Sequence, residues 1–154
     1  MVKSKFSLVQ KKAVFADLVE QTDQKILAAW AIECAERVMH YFAAARPDDP
    51  RPRAAIHTLK VWIETGVFKM AVIRKASLDS HAAAREVGAD NAARSAARAA
   101  GQAVATAHVY THAAGAAMYA LQAIHRASDA ADADAAVAQE EAWQLQRLRE
   151  LGGQ

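Results

Sequence analysis

All three prolines of the chain sit in one short turn, at Pro47, Pro50 and Pro52, and only six glycines are spread over its 154 residues. Between these breaks run long stretches of strong helix formers, alanine above all, with little β-branched alternation. Proline and glycine are the residues that interrupt a helix most strongly, and strands need branched or aromatic side chains alternating with polar ones. So sparse a punctuation predicts an all-α fold. The expectation is one domain over residues 1–154, a bundle of about six helices around a long alanine-rich central helix. Its core is expected over 23–125, with an N-terminal helix over 8–20 and a C-terminal helix over 135–151.

The periodicity places these helices. The first spans Leu8 to Glu20. Thr22 and Asp23 can cap a second, in which Ile26, Leu27, Trp30, Ala31, Cys34, Ala35, Val38 and Phe42 recur at helical spacing. Lys25, Glu33, Glu36, Arg37 and His40 fall on its other side. The segment RPDDPRPR ends it, and Pro52 suits the first turn of a third helix, which runs to about Thr65 before Gly66. A fourth is expected over Val67–Val87. A long fifth opens at ADNAAR and reaches Ile124, with a kink or break between Tyr110 and Gly115. An acidic linker, ASDAADADAA, precedes a last helix carrying Val137, Trp143, Leu145, Leu148 and Leu151. Alanine faces let helices approach to the short end of the ~8–10 Å range. Packing density must then come from Trp30, Phe42, Trp62, Phe68 and Trp143.

Composition excludes several function classes. With 53% hydrophobic and 23% charged residues the chain is globular rather than disordered. A net charge of +2 is too small to argue for nucleic acid, the arginines have no interleaved aromatics for base stacking, and there is no glycine-rich phosphate loop. No apolar stretch approaches the roughly 20 residues of a membrane span. The single cysteine, Cys34, cannot form an internal disulfide and fits a reducing, cytoplasmic setting. It lies on an apolar stripe and is expected to be packed rather than reactive. No nucleophile–base arrangement stands out and the carboxylates fall mostly on solvated faces. Neither an enzyme nor a cofactor is expected.

Two sets of residues are candidates for something more specific. In VATAHVYTHAAG, His108 and His112 stand four apart, on a stripe continued by Val104, Gly101, Ala100, Ala97 and Ala93. That stripe is apolar and small, so the two rings are expected to face inward, neutral at pH 7 unless a carboxylate is close, and with His81 to form a polar part of the core. A zinc site needs at least a third ligand. His81 is the only supplement and there is no HExxH pattern, so no metal is expected. A His-dependent metal protein built on His81, His108 and His112 is the weaker alternative. The second set is cationic. Arg74, His81 and Arg85 share one helical face, and Arg94 and Arg98 repeat that spacing on the next helix. If the two helices are antiparallel, both stripes border one groove. RPDDPRPR sets Asp48 and Asp49 between Arg46 and the pair Arg51 and Arg53. It reads either as a turn held by local ion pairs, each of at most about 1 kcal/mol, or as an exposed recognition loop. The candidate partner surface is therefore Asp48, Asp49, Arg51, Arg53, Arg74, Arg85, Arg94 and Arg98.

AAWAIECAERVMHYF, DDPRPRAAI, SHAAAR and ARAAGQAVATAHVYTHAAGAAMYALQAI follow one another in this order. Together they resemble a family of small, all-helical bacterial immunity proteins associated by genomic context with toxin–immunity systems. The resemblance covers Asp23 to Ile124, with Trp143 also fitting. It is carried by Trp30, Cys34, Glu36, Arg37, Pro50, Arg51, His81, Arg85, Ala105, His108, His112 and Gly115. Gln102 departs from it, standing where the family pattern often has histidine, and this counts further against a metal. The resemblance implies a non-enzymatic inhibitor that binds a cognate protein toxin at its active site or a nearby surface. A structural helical module, with homo-oligomeric assembly, is the alternative.

Overall fold

A computed structural model describes residues 1–153. Among these residues every regular element is a helix: α1 Leu8–Glu20, α2 Gln24–Glu36, α3 Met39–Ala45, α4 Arg51–Thr65, α5 Met70–Glu86, α6 Ala92–Ala105, α7 His112–Ala127 and α8 Ala133–Leu151. There are eight rather than about six, because two expected long helices are each broken once.

Local chemistry sets most of the boundaries. Ser7 Oγ accepts from the Gln10 amide (3.2 Å) at the start of α1, Asp23 from the Lys25 amide (3.2 Å) at α2, and Asn91 Oδ1 from the Arg94 amide (3.0 Å) at α6. Pro52 stands in the first turn of α4, where its missing N–H costs nothing. That helix stops at Gly66, whose φ of 68° lies in the left-handed region open to glycine.

The first correction is at Val38. The expected helix through Phe42 ends with α2 in a tight turn (Val38 N–H to Ala35 O, 3.2 Å), and the chain restarts as α3. Arg37, at the break, donates twice to Glu140 of α8 (2.6 and 2.8 Å) and lies 3.8 Å over the Trp143 ring. Val38, Met39 and Phe42 all remain buried.

The second correction is at the centre. The long alanine-rich helix is two helices, α6 and α7, folded back on each other. Ser95 bonds Gln122 (2.8 Å) near one end of the pair, and Gln102 bonds His112 (2.8 Å) near the other, which makes it antiparallel. The break spans 106–111, where Thr106, Val109 and Thr111 disfavour continued helix. Thr106 Oγ1 also bonds back to the Gln102 carbonyl (3.4 Å). The carbonyls freed there, on Thr106 and Ala107, are met by the side-chain amide of Gln24 (2.8 and 3.2 Å).

Around this hairpin, α5 lies antiparallel to α6 (Ser80 Oγ to Ala97 O, 2.8 Å; Ser77 Oγ to Gly101 O, 2.9 Å). On the opposite side α8 lies antiparallel to α2, through Arg37–Glu140 and Arg147–Glu33 (2.9 Å). Trp30 is the largest fully buried side chain. Its Nε1–H donates to the Gln144 carbonyl (2.8 Å) and its ring meets Phe15 edge-on at 5.4 Å. Cys34 is fully buried, and burial beside Glu140 and Glu33 pushes its thiol well above the ordinary value. Trp62 is buried, and Trp143 partly so. Phe68, expected to fill the core, is 41% exposed. No helix is long and apolar enough to cross a membrane among the described residues.

Candidate functional site

The turn at 46–53 is held by its own charges. Arg51 chelates Asp49 (2.9 and 2.7 Å) and also pairs with Glu86 at the end of α5, so it ties the turn to a helix distant in sequence. The bond from Arg51 holds the Asp49 carboxyl below its ordinary value. Asp48 and Arg53 are exposed, and no ion pair engages either among the described residues.

The arginine stripes divide in the same way. Arg94 is half-buried, donating to the Ala84 carbonyl (3.1 Å) and to Asp90 (2.7 Å). Arg98 is half-buried against His81, with Nη1 2.9 Å from Nδ1. Arg74 and Arg85 are exposed, and no ion pair engages them among the described residues. Of the six candidate arginines, three serve the fold and three, Arg53, Arg74 and Arg85, are open to a partner.

The histidines do not form a polar core. His108, on the α6–α7 turn, is exposed and meets Phe68 edge-on at 6.2 Å. His81 and His112 are half-buried on the walls of a groove between α5 and the α6–α7 hairpin. The inward stripe failed because the helix carrying it breaks between the two rings, so positions four apart no longer share a face. The buried histidine is His125, whose Nε2–H donates to the Ser4 carbonyl (2.9 Å). Among the described residues no three His, Cys, Asp or Glu side chains are grouped closely enough to hold a metal ion.

The groove is shaped by glycine. A Cβ on Gly101 would lie 2.7 Å from His81 Nε2, so only glycine lets that ring lie against α6. On α7, Gly115 leaves the matching room for Gln102, whose Oε1 accepts from His112 Nδ1–H. Arginine can only donate, so His81 Nδ1 is the acceptor and its proton sits on Nε2. Burial and the neighbouring Arg98 guanidinium lower His81 to about 4, and burial with Lys12 lowers His112. At neutral pH His81 is uncharged.

What sequence reasoning missed is apolar. Val61, Val67, Phe68, Met70, Val72 and Leu78 are all exposed, with Val67 at 59% and Leu78 at 54%, and Val109 joins them from the α6–α7 turn. Val61, Val67 and Val72 line a groove of about 380 Å³ between α4 and α5, Met70 and Leu78 line the histidine groove of about 300 Å³, and Ile73 lines both. The signal was in the run Val67–Ile73, which carries apolar residues on more sides than one helix can bury, and of which only Ile73 is buried.

Comparison with curated proteins and with solved structures finds no match. A family model described as Imm-5 like putative immunity protein matches residues 17–151, a span that reaches further in both directions than the stretch in which the resemblance was first read. Covering nearly all of the chain, that match shows that it belongs to the Imm-5 like immunity protein family.

Proposed function

We propose that this protein binds a cognate bacterial toxin and neutralises it without catalysis, acting in the cytoplasm of the cell that it protects. The observation that carries this reading is the family match over residues 17–151. Residues 1–154 act as one domain on this reading, supported by a core cluster to which all eight helices contribute. The partner-facing cations are Arg53, Arg74 and Arg85, exposed and free of ion pairs among the described residues, with Asp48 in the same 46–53 turn as Arg53. Arg51, Asp49, Arg94 and Arg98 support the surface from behind. Large exposed apolar patches on a folded domain mark interaction sites, and the patch around α5 gives such a contact its anchors.

Co-expression tests the proposal directly. Cells producing the toxin encoded beside this gene should survive when the chain is present, and the purified pair should bind with one-to-one stoichiometry by calorimetry. Survival no better than with an empty vector, together with no measurable binding, refutes it.

A further inference from the structure

We propose that the two grooves flanking the N-terminal half of α5 dock an acidic segment of the partner protein, with its apolar side chains seated in the grooves and its carboxylates on the cationic rim. The inference deepens the toxin-binding reading and rests on it for the identity of the partner.

Three observations carry it. The first is shape and polarity. The α4–α5 groove is lined by Val61, Trp62, Val67 and Ile73, and the second groove reuses Ile73 with Met70 and Leu78. Of the residues lining them, Val61, Val67, Met70, Val72 and Leu78 are exposed, while the shared Ile73 is buried. A segment with apolar side chains on one face can fill both.

The second is charge. No carboxylate lines either groove, whereas Lys69 borders the first and Arg74 the second. The nearest acids along the chain, Glu64 and Asp79, line neither, and Asp79 is bound to Lys75 (2.5 Å). A basic segment would meet like charge here and find no counter-ion, while an acidic one finds both rim cations unpaired.

The third is a hydrogen-bond donor with no acceptor. Arg98 fixes the His81 tautomer by donating to Nδ1, which leaves the proton on Nε2. Among the described residues no hydrogen bond engages that Nε2–H. A carboxylate of the partner is the acceptor this donor fits.

The test uses the full chain and a labelled amphipathic helical peptide of leucine and glutamate, with its leucine–lysine counterpart as control. Anisotropy should show saturable binding of the acidic peptide alone. Nuclear magnetic resonance should show the Trp62 indole and the His81 and His112 ring signals shifting with it. Arg74→Glu and Leu78→Asp should each weaken binding at least tenfold, while Arg149→Glu on the far helix leaves it unchanged. Circular dichroism of each variant checks the fold, and Arg74→Ala, a milder change, should still weaken binding measurably. Equal binding of the lysine peptide, or shifts confined to other helices, overturns the inference. So does self-association of the free chain that Leu78→Asp abolishes, which would make a second copy the occupant. Protection against the toxin that survives both variants unchanged overturns the inference and leaves the toxin-binding reading intact. Peptide results as expected from a chain that protects no cell would uphold this surface and overturn that reading.

Discussion

Replacing Gly101 with alanine should destabilise the protein, although alanine is the better helix former. In a helix interior the exchange is worth about 1 kcal/mol in favour of alanine. Here the added methyl would lie 2.7 Å from His81 Nε2, 2.9 Å from Cδ2 and 3.0 Å from Cε1, so the ring has to leave its seat. Overpacking of this kind costs about 1–3 kcal/mol. A displaced ring also gives up its bond to Arg98 (2.9 Å), worth about 1 kcal/mol. The net expectation for Gly101→Ala is a loss of about 1–3 kcal/mol. With His81→Ala already in place the clash is gone, and the same exchange should stabilise by about 1 kcal/mol. The sign reversal implies a coupling of about 2–4 kcal/mol, which a double-mutant cycle from urea unfolding measures. As a control, Gly115→Ala meets only the flexible end of Gln102 and should cost less. If Gly101→Ala stabilises the parent, or if the coupling is below about 0.5 kcal/mol, His81 does not rest on α6 and the groove is wrongly described.

Further expectations follow from the same geometry. Trp30→Ala removes the largest buried side chain with its bond to Gln144, and should cost about 3–5 kcal/mol; a shift of only a degree or two in thermal midpoint would show that the core is misplaced. Arg51→Ala should lower stability by about 1 kcal/mol by cutting the turn from Asp49 and Glu86, whereas Arg53→Ala should leave stability unchanged and weaken toxin binding, with denaturation and calorimetry separating the two. His81 is lowered from 6.5 unfolded to about 4 folded, so the unfolded state binds the proton first as pH falls. Its contribution to stability is therefore complete above pH 6.5 and lost between about 6.5 and 4. Allowing for the partial exposure of the ring, the loss should be about 1–2 kcal/mol, absent from His81→Gln. Cys34, buried with a raised thiol, should resist alkylation in the native protein and react stoichiometrically once unfolded.

The helices were legible because helix formation is read from local signals. Asp23, Pro52 and Gly66 signalled helix ends locally, and the 3.6-residue period put Leu27, Trp30 and Cys34 on a face that proved buried. The family resemblance was legible for a similar reason, since it rests on residues in a fixed order along the chain. What the period cannot say is whether another element covers a face. Val67, Met70, Val72 and Leu78 look like core residues in sequence, and they are exposed because no helix packs over the start of α5. Nor does spacing reveal which charges a fold consumes. Arg51 is paired with Glu86, thirty-five residues on, and Arg98 is engaged as a donor by the uncharged groove histidine on the preceding helix. The fate of His108 and His112 turned on a single break at 106–111, where the chain folds α7 back along α6 rather than extending it. Alanine and glycine faces thin enough to pack closely make that hairpin the core of the bundle. The chain's chemistry therefore set what each segment could be, and long-range packing decided which of its side chains were left for a partner to meet.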